Sequence, residues 1–133
     1  MTGVAGLTLG GGVGWLTRAH GLSIDNLRSA RVITADGRIV RASAEEDPEL
    51  FWGLWGGGGN FGIVTSFEFQ GHPLGPEILY GVAIHGPDSW ADALAFYAGW
   101  AEGLPDALTT IISFVSPPPS WGLPEELTGT ARC

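Results

Sequence analysis

Two clusters of glycine are the residues in this chain best placed to do chemistry. Gly10-Gly11-Gly12-Val13-Gly14 and Gly56-Gly57-Gly58-Gly59-Asn60-Phe61-Gly62 each carry the backbone past several positions with little or no side chain. Bare backbone of this kind presents N–H groups that can donate to phosphate or ring-carbonyl oxygens. It also permits tight turns and close packing with no ligand involved. Two such loops flanking one hairpin read as a wall that faces a ligand. Gly57, Gly59 and Gly62 fit the letters GxGxxG, but that fingerprint binds a dinucleotide only between a preceding strand and a following helix. Here a helix-like segment precedes and a strand follows, so the classical NAD reading fails. The first loop does precede a helix, yet its spacing breaks the fingerprint and Asp36 sits in a hairpin turn.

The remaining reactive residue types form no constellation. His20, His72 and His85 are far apart, no HxxxH or HExxH occurs, and Cys133 is the single cysteine. No intrachain disulfide, CxxC pair or metal site follows from that set. His20 reads as a dipole partner at a helix C-terminus rather than a base, His72 as part of a loop before Pro73, and His85 as the end of a strand, with a substrate-facing role the lesser alternative. Asp25 and Asn26 read as turn caps, with Asn26 also a minor cofactor candidate. Glu45, Glu46, Asp47 and Glu49 form a solvated acidic run at a helix start. The six tryptophans read as core, Trp15 being the one nearest a glycine loop, and Tyr97 likewise.

Composition narrows the classes. Among 133 residues, 14 acidic against 6 basic side chains give a formal net charge of -8, and every basic residue is Arg. That balance excludes a protein gripping phosphate backbones electrostatically. No run of 18 apolar residues spans a bilayer. Met1 is followed by no basic segment of a secretory leader, which leaves the cytoplasm as the default compartment. Fourteen of the 22 glycines lie at or before Gly62, whereas eight of the nine prolines lie at or after Pro73. A junction is therefore expected near residues 70–76, dividing the chain into 1–70 and 71–133.

The elements that must hold the loops follow from pattern. Val4–Leu9 is an apolar segment, Trp15–His20 a short helix stopped by Gly21, and Arg31–Thr34 with Arg38–Arg41 a hairpin around Ala35-Asp36-Gly37. Ser43 with Glu46 matches a capping box, and Asp47-Pro48 is the competing helix start. Leu50, Phe51, Trp52 and Leu54 then form a mostly buried helix, followed by a strand over Ile63–Phe69. Beyond the junction the pattern predicts a strand at Ile78–His85, a helix over about Ser89–Glu102 with Trp90, Ala93, Leu94, Tyr97 and Ala101 on one stripe, and a strand at Leu108–Val115.

Taken together, Gly6-Leu7-Thr8-Leu9-Gly10-Gly11-Gly12-Val13-Gly14-Trp15-Leu16-Thr17-Arg18, Gly21-Leu22-Ser23-Ile24-Asp25-Asn26-Leu27, Leu50-Phe51-Trp52 and Gly56–Thr65 resemble the FAD-linked oxidases with a PCMH-type FAD-binding domain. The similarity is greatest to the vanillyl-alcohol-oxidase and berberine-bridge-enzyme-like group. The resemblance implies an α+β protein: the second α/β subdomain of the FAD-binding domain, then the start of an α+β substrate domain. It implies FAD as cofactor, and a small-molecule substrate whose CH–OH or CH–NH carbon gives a hydride to the flavin, with O2 as acceptor. By position, Gly6 and Leu7 would lie near the flavin ring, with Leu7 standing where some plant members carry His. Gly10, Gly11, Gly12 and Gly14 would follow the flavin and pyrophosphate, and Gly59, Asn60, Phe61, Gly62, Ile63 and Val64 would meet the cofactor largely through backbone. Trp55 replaces an Arg usual in the family. The His or Cys that attaches flavin would precede Met1, and the catalytic groups of the substrate domain would follow Cys133. The chain thus reads as an internal fragment with no catalytic residue of its own. The competing reading is a truncated, non-catalytic flavin-binding piece.

Overall fold

The computed structural model describes residues 3–116 and 118–122. The chain divides into two compact units, Met1–Leu74 and Gly75–Cys133. The first contains α1 (Val4–Leu9), α2 (Thr17–His20), β1 (Leu27–Ile33), β2 (Ile39–Ser43), α3 (Pro48–Leu54) and β3 (Ile63–Phe69), with 3-10 turns at Ile24–Asn26 and Gly58–Phe61. Short helices beside one antiparallel sheet make this the expected α+β class.

The sheet has three strands in the order β2-β1-β3. β1 is the central strand and pairs antiparallel with both neighbours: Val32 lies opposite Val40 on one side and Val64 on the other. Strand alternation sends Ala30, Val32 and Ala42 to one face, where Leu9 of α1 and Leu54 of α3 complete a small buried core. On the polar side of the sheet, the Ser29 hydroxyl donates to Glu68 at 2.7 Å and Arg41 donates to the same carboxylate oxygen at 3.2 Å. Together these hold the Glu68 carboxyl below its usual range, the hydroxyl contributing most.

The hairpin forms where Asp36-Gly37 is predicted to turn the chain. Thr34 and Arg38 close it through a backbone bond of 2.9 Å, and Gly37 takes a φ of 81°. Asp36 accepts from the Thr34 hydroxyl at 2.5 Å and from Arg38 Nε at 2.6 Å. The start of α3 combines the two capping patterns. Pro48 opens the helix, but Asp47 sits at a φ of 53° and its side chain caps nothing. Ser43 Oγ instead accepts from the backbone N–H groups of Glu45 and Glu46, outside the helix. Leu54 is buried and Leu50 and Phe51 pack around the core, whereas Trp52 is 79% exposed, contrary to the expected buried face.

In the second unit α4 (Trp90–Ala101) forms as predicted. Trp90, Ala93, Tyr97 and Ala101 are half-buried while Leu94 is exposed. Tyr97 pairs with the Thr110 hydroxyl at 2.7 Å, and Trp90 meets Phe114 edge to face. The strands expected at Ile78–His85 and Leu108–Val115 are absent, apart from a single bridge position at Val115. An apolar run becomes a strand only when a neighbour shares its ladder, and Ile78, Leu79 and Tyr80 are exposed instead. The tryptophans also depart from the core expectation: Trp15, Trp52, Trp55, Trp100 and Trp121 are exposed.

Asp36 supplies a pH dependence. Its two donors lower its pKa from 3.8 to about 2, the Thr34 hydroxyl contributing most. The folded chain therefore binds that proton more weakly than the unfolded chain. The stabilisation is complete above about pH 4 and disappears as pH falls through about 2. Asp36→Asn is expected to lower the thermal midpoint at neutral pH, with the gap from the parent closing as pH approaches 2; a pH-independent gap would contradict this assignment.

Candidate functional site

The first glycine loop is shaped by the helix it follows. The N–H groups of Gly10 and Gly11 donate to the carbonyls of Gly6 (3.3 Å) and Thr8 (2.9 Å), which ends α1. Gly11 and Gly12 then take φ values of 104° and 85°, a region costly for any residue with a Cβ. The carbonyls of Gly11 and Gly12 accept from Ile24 (3.0 Å) and Ser23 (2.8 Å), and the Gly14 N–H donates to the Thr17 hydroxyl (2.8 Å). A wholly unoccupied row of N–H groups is therefore not what this loop offers. Within it, the N–H groups of Gly12 and Val13 remain without an acceptor among the described residues.

The glycines differ in what demands them. A Cβ on Gly12 would lie 2.6 Å from the Ser23 Cβ, so the fold itself excludes a side chain there. At Gly62, φ is 142° and a Cβ would collide with the Ile33 carbonyl, where β3 enters the sheet. By contrast, a Cβ on Gly6, Gly14 or Gly59 would meet nothing within 4 Å among the described residues. The Phe61 ring lies against Gly53, 3.0 Å from where a Cβ would stand. It thereby fixes the Gly58–Phe61 turn against α3, while Asn60 donates from its amide to the Gly57 carbonyl at 2.7 Å. Ile63 is exposed and Val64 packs toward the core.

α1 packs against the Gly58–Phe61 turn, so the two glycine segments, some 45 residues apart by number, converge on one side of the unit. Next to the first loop is an open cleft of about 280 Å³ whose lining includes Thr8, Gly12, Gly14, Asn26, Phe69 and His72. Thr8 is fully buried, and its Oγ1 has no hydrogen-bond partner among the described residues. A buried hydroxyl left unpaired costs about 1–3 kcal/mol, so one in a cleft wall points to a polar partner that the described residues do not supply. Leu7 is half-buried and Gly6 and Gly10 are exposed on α1 and its end.

Sequence reasoning missed Thr8 and His72 as cleft residues. The signal for Thr8 was available: a hydroxyl enclosed in an apolar helical run, Val4–Leu9, directly before the glycines. His72 had no such signal, because its placement depends on the chain returning from β3. Among the described residues no three His, Cys, Asp or Glu side chains gather as a metal site, and no helix is long and apolar enough to cross a membrane. Cys133 lies outside the described residues.

Residues 1–43 match the protein family described as FAD binding domain. Over 94 residues the chain is 50% identical to the FAD-linked oxidoreductase pgmH of Aspergillus terreus, covering 71% of this chain and 19% of that one. Over 115 residues it is 40% identical to (R)-6-hydroxynicotine oxidase of Paenarthrobacter nicotinovorans, covering 86% and 24%. Over these stretches the chain is similar to the FAD-linked oxidoreductases. Among solved structures, a VAO-type flavoprotein of Myceliophthora thermophila aligns with a TM-score of 0.51 at 38% identity, over 52% of this chain and 13% of that one. The xylooligosaccharide oxidase of the same organism aligns with a TM-score of 0.50 at 50% identity, over 52% and 15%. The chain thus spans about a fifth to a quarter of the length of these two relatives.

The site geometry separates three substitutions. Thr8→Val removes an unpaired hydroxyl at nearly constant volume and should stabilise the ligand-free chain by about 1 kcal/mol. Gly12→Ala should destabilise it by about 1–3 kcal/mol, through backbone strain and the clash with Ser23. Gly14→Ala should change it by less than about 0.5 kcal/mol. Chemical denaturation of the three variants orders them; Gly12→Ala as stable as the parent contradicts the packing role given to Gly12.

Proposed function

We propose that this chain supplies part of the FAD site of an FAD-dependent oxidoreductase, one that oxidises a CH–OH or CH–NH carbon of a small molecule. The observation that carries the reading is the fully buried Thr8 hydroxyl, left without a partner in the wall of a cleft that Gly12 and Gly14 also line. The chain's similarity to FAD-linked oxidoreductases supports it, as does the range of its relatives, one an oxidase of hydroxynicotine and another of xylooligosaccharides.

The residues present fit the cofactor. Gly6, Leu7, Gly10, Gly11, Gly12 and Gly14 form or flank the α1 end of the site, and Gly59, Asn60, Phe61, Gly62, Ile63 and Val64 supply the second segment. Gly6, Gly14 and Gly59 leave room for a ligand, because none of the described residues occupies the space their side chains would take. Gly12 and Val13 contribute N–H donors toward ring-carbonyl or phosphate oxygens, and Thr8 contributes a hydroxyl. Gly62 and Phe61 act one step back: they set the turn and strand that hold the second segment in place. When bound, FAD supplies a two-electron acceptor for the substrate hydride, with dioxygen the terminal acceptor. The role of this chain is to bind and orient that group.

Titration of the full chain with FAD, followed by flavin fluorescence, tests the reading. Saturable quenching is expected, and Thr8→Val should weaken binding about three- to tenfold, the loss of one hydrogen bond. Since the same substitution should stabilise the free chain, the two effects have opposite signs, which a general loss of structure cannot produce. Thr8→Val binding FAD as tightly as the parent, or no saturable quenching by the parent chain, would overturn the proposal.

A further inference from the structure

Asn26 joins two segments that are distant in sequence. Its side-chain amide donates to the carbonyls of His20 and Leu22, both at 2.9 Å. With both amide hydrogens committed, Oδ1 is left as an acceptor, and it faces His72 Nε2 at 2.5 Å. The His72 nitrogen must therefore be the donor. The His72 ring also lies flat on His20, with centroids 4.0 Å apart and planes inclined by 7°. The backbone adds to the join: the Gln70 N–H donates to the Asn26 carbonyl at 2.7 Å, and Arg28 donates to the Gln70 side chain at 2.6 Å. The segment leaving β3 is thus fastened to the α2 corner at several points.

The opposite edge of that corner is what holds the first glycine loop. Ser23 and Ile24 donate to the carbonyls of Gly12 and Gly11, and the Leu22 N–H is held by Asp25 Oδ2 at 2.8 Å. Residues 20–26 therefore lie between the returning segment and the glycine loop, hydrogen-bonded to both. Gly11 and Gly12 have backbone conformations with little intrinsic preference of their own, so their shape depends on what grips their carbonyls.

We propose that His72 is a positioning residue for the glycine loop: by clasping Asn26 and covering His20 it holds the Leu22–Asn26 turn, and through that turn the Gly11 and Gly12 carbonyls. The functional consequence rests on the FAD reading above, whereas the clasp itself does not. His72 touches the loop only through Asn26 and the turn, and its effect is a coupling between the exit of the sheet and the cofactor-side backbone. The loop is then ordered only when the chain following β3 has folded back.

Amide hydrogen exchange on the full-length chain, read residue by residue by NMR, tests this for the parent, His72→Ala and His72→Gln. In His72→Ala the Ser23 and Ile24 amides should exchange about tenfold faster, while those of Val32 and Ala42 in the sheet keep their parent rates. His72→Gln retains an N–H donor and should recover most of the Ser23 and Ile24 protection. FAD affinity should fall in His72→Ala and recover in His72→Gln. Parent-like exchange of Ser23 and Ile24 in His72→Ala, with only the Gln70 amide accelerated, overturns the proposal. A parent chain that binds no FAD defeats the functional reading alone, since the exchange comparison still decides the clasp.

Discussion

The structure of the first unit depends on the chain approaching itself more closely than a side chain at two glycines allows. At Gly62 the chain passes against the Ile33 carbonyl as β3 enters the sheet, and at Gly12 it passes against Ser23. The first contact fixes β3 beside β1 and thereby seats the Gly58–Phe61 turn against α1. The second fixes the loop after α1 on the turn that leads into β1. Both are paid for by glycine's larger loss of backbone freedom on folding, about 0.5–1 kcal/mol each relative to alanine. The core that opposes this cost is small: Leu9, Ala30, Val32, Ala42 and Leu54 are its buried members.

This separates two kinds of glycine that look the same in a sequence. Gly12 and Gly62 are required by the chain's own packing, as Gly57 is by the Gly53 carbonyl and the Phe61 ring. Gly6, Gly14 and Gly59 are not, because their missing side chains would meet none of the described residues. The second kind, together with the unpaired Thr8 hydroxyl, carries the argument for a cofactor. The wall is therefore made by two separate devices, glycines that bring the segments together and glycines that leave one side clear.

Much of the first unit was legible because its signals are local. Asp36-Gly37 between β-branched runs gave the hairpin, Gly21 the end of α2, and Pro48 the start of α3. The features that escaped depend on partners distant in sequence. Trp52 lies on a helix whose Leu50, Phe51 and Leu54 turn toward the core, and periodicity in so short a helix does not assign each flank. Ile78–His85 has a strand's composition but no ladder partner in its unit. For the site, the glycine segments stood out as candidates, but which N–H groups are already taken depends on contacts with Thr17, Thr8 and Gly6 that composition does not reveal. The pairing of Asn26 with His72 spans 46 residues and has no local signature.

The central claim is that the α1 end and the Gly58–Phe61 turn face FAD together. The most direct measurement is a backbone-amide NMR titration of the full chain with FAD. Shifts concentrated at Gly12, Val13, Gly14 and Gly59, with α4 amides unmoved, are the result this account predicts. Shifts confined to the α4 region, or spread evenly along the chain with none larger at the glycine segments, would contradict it.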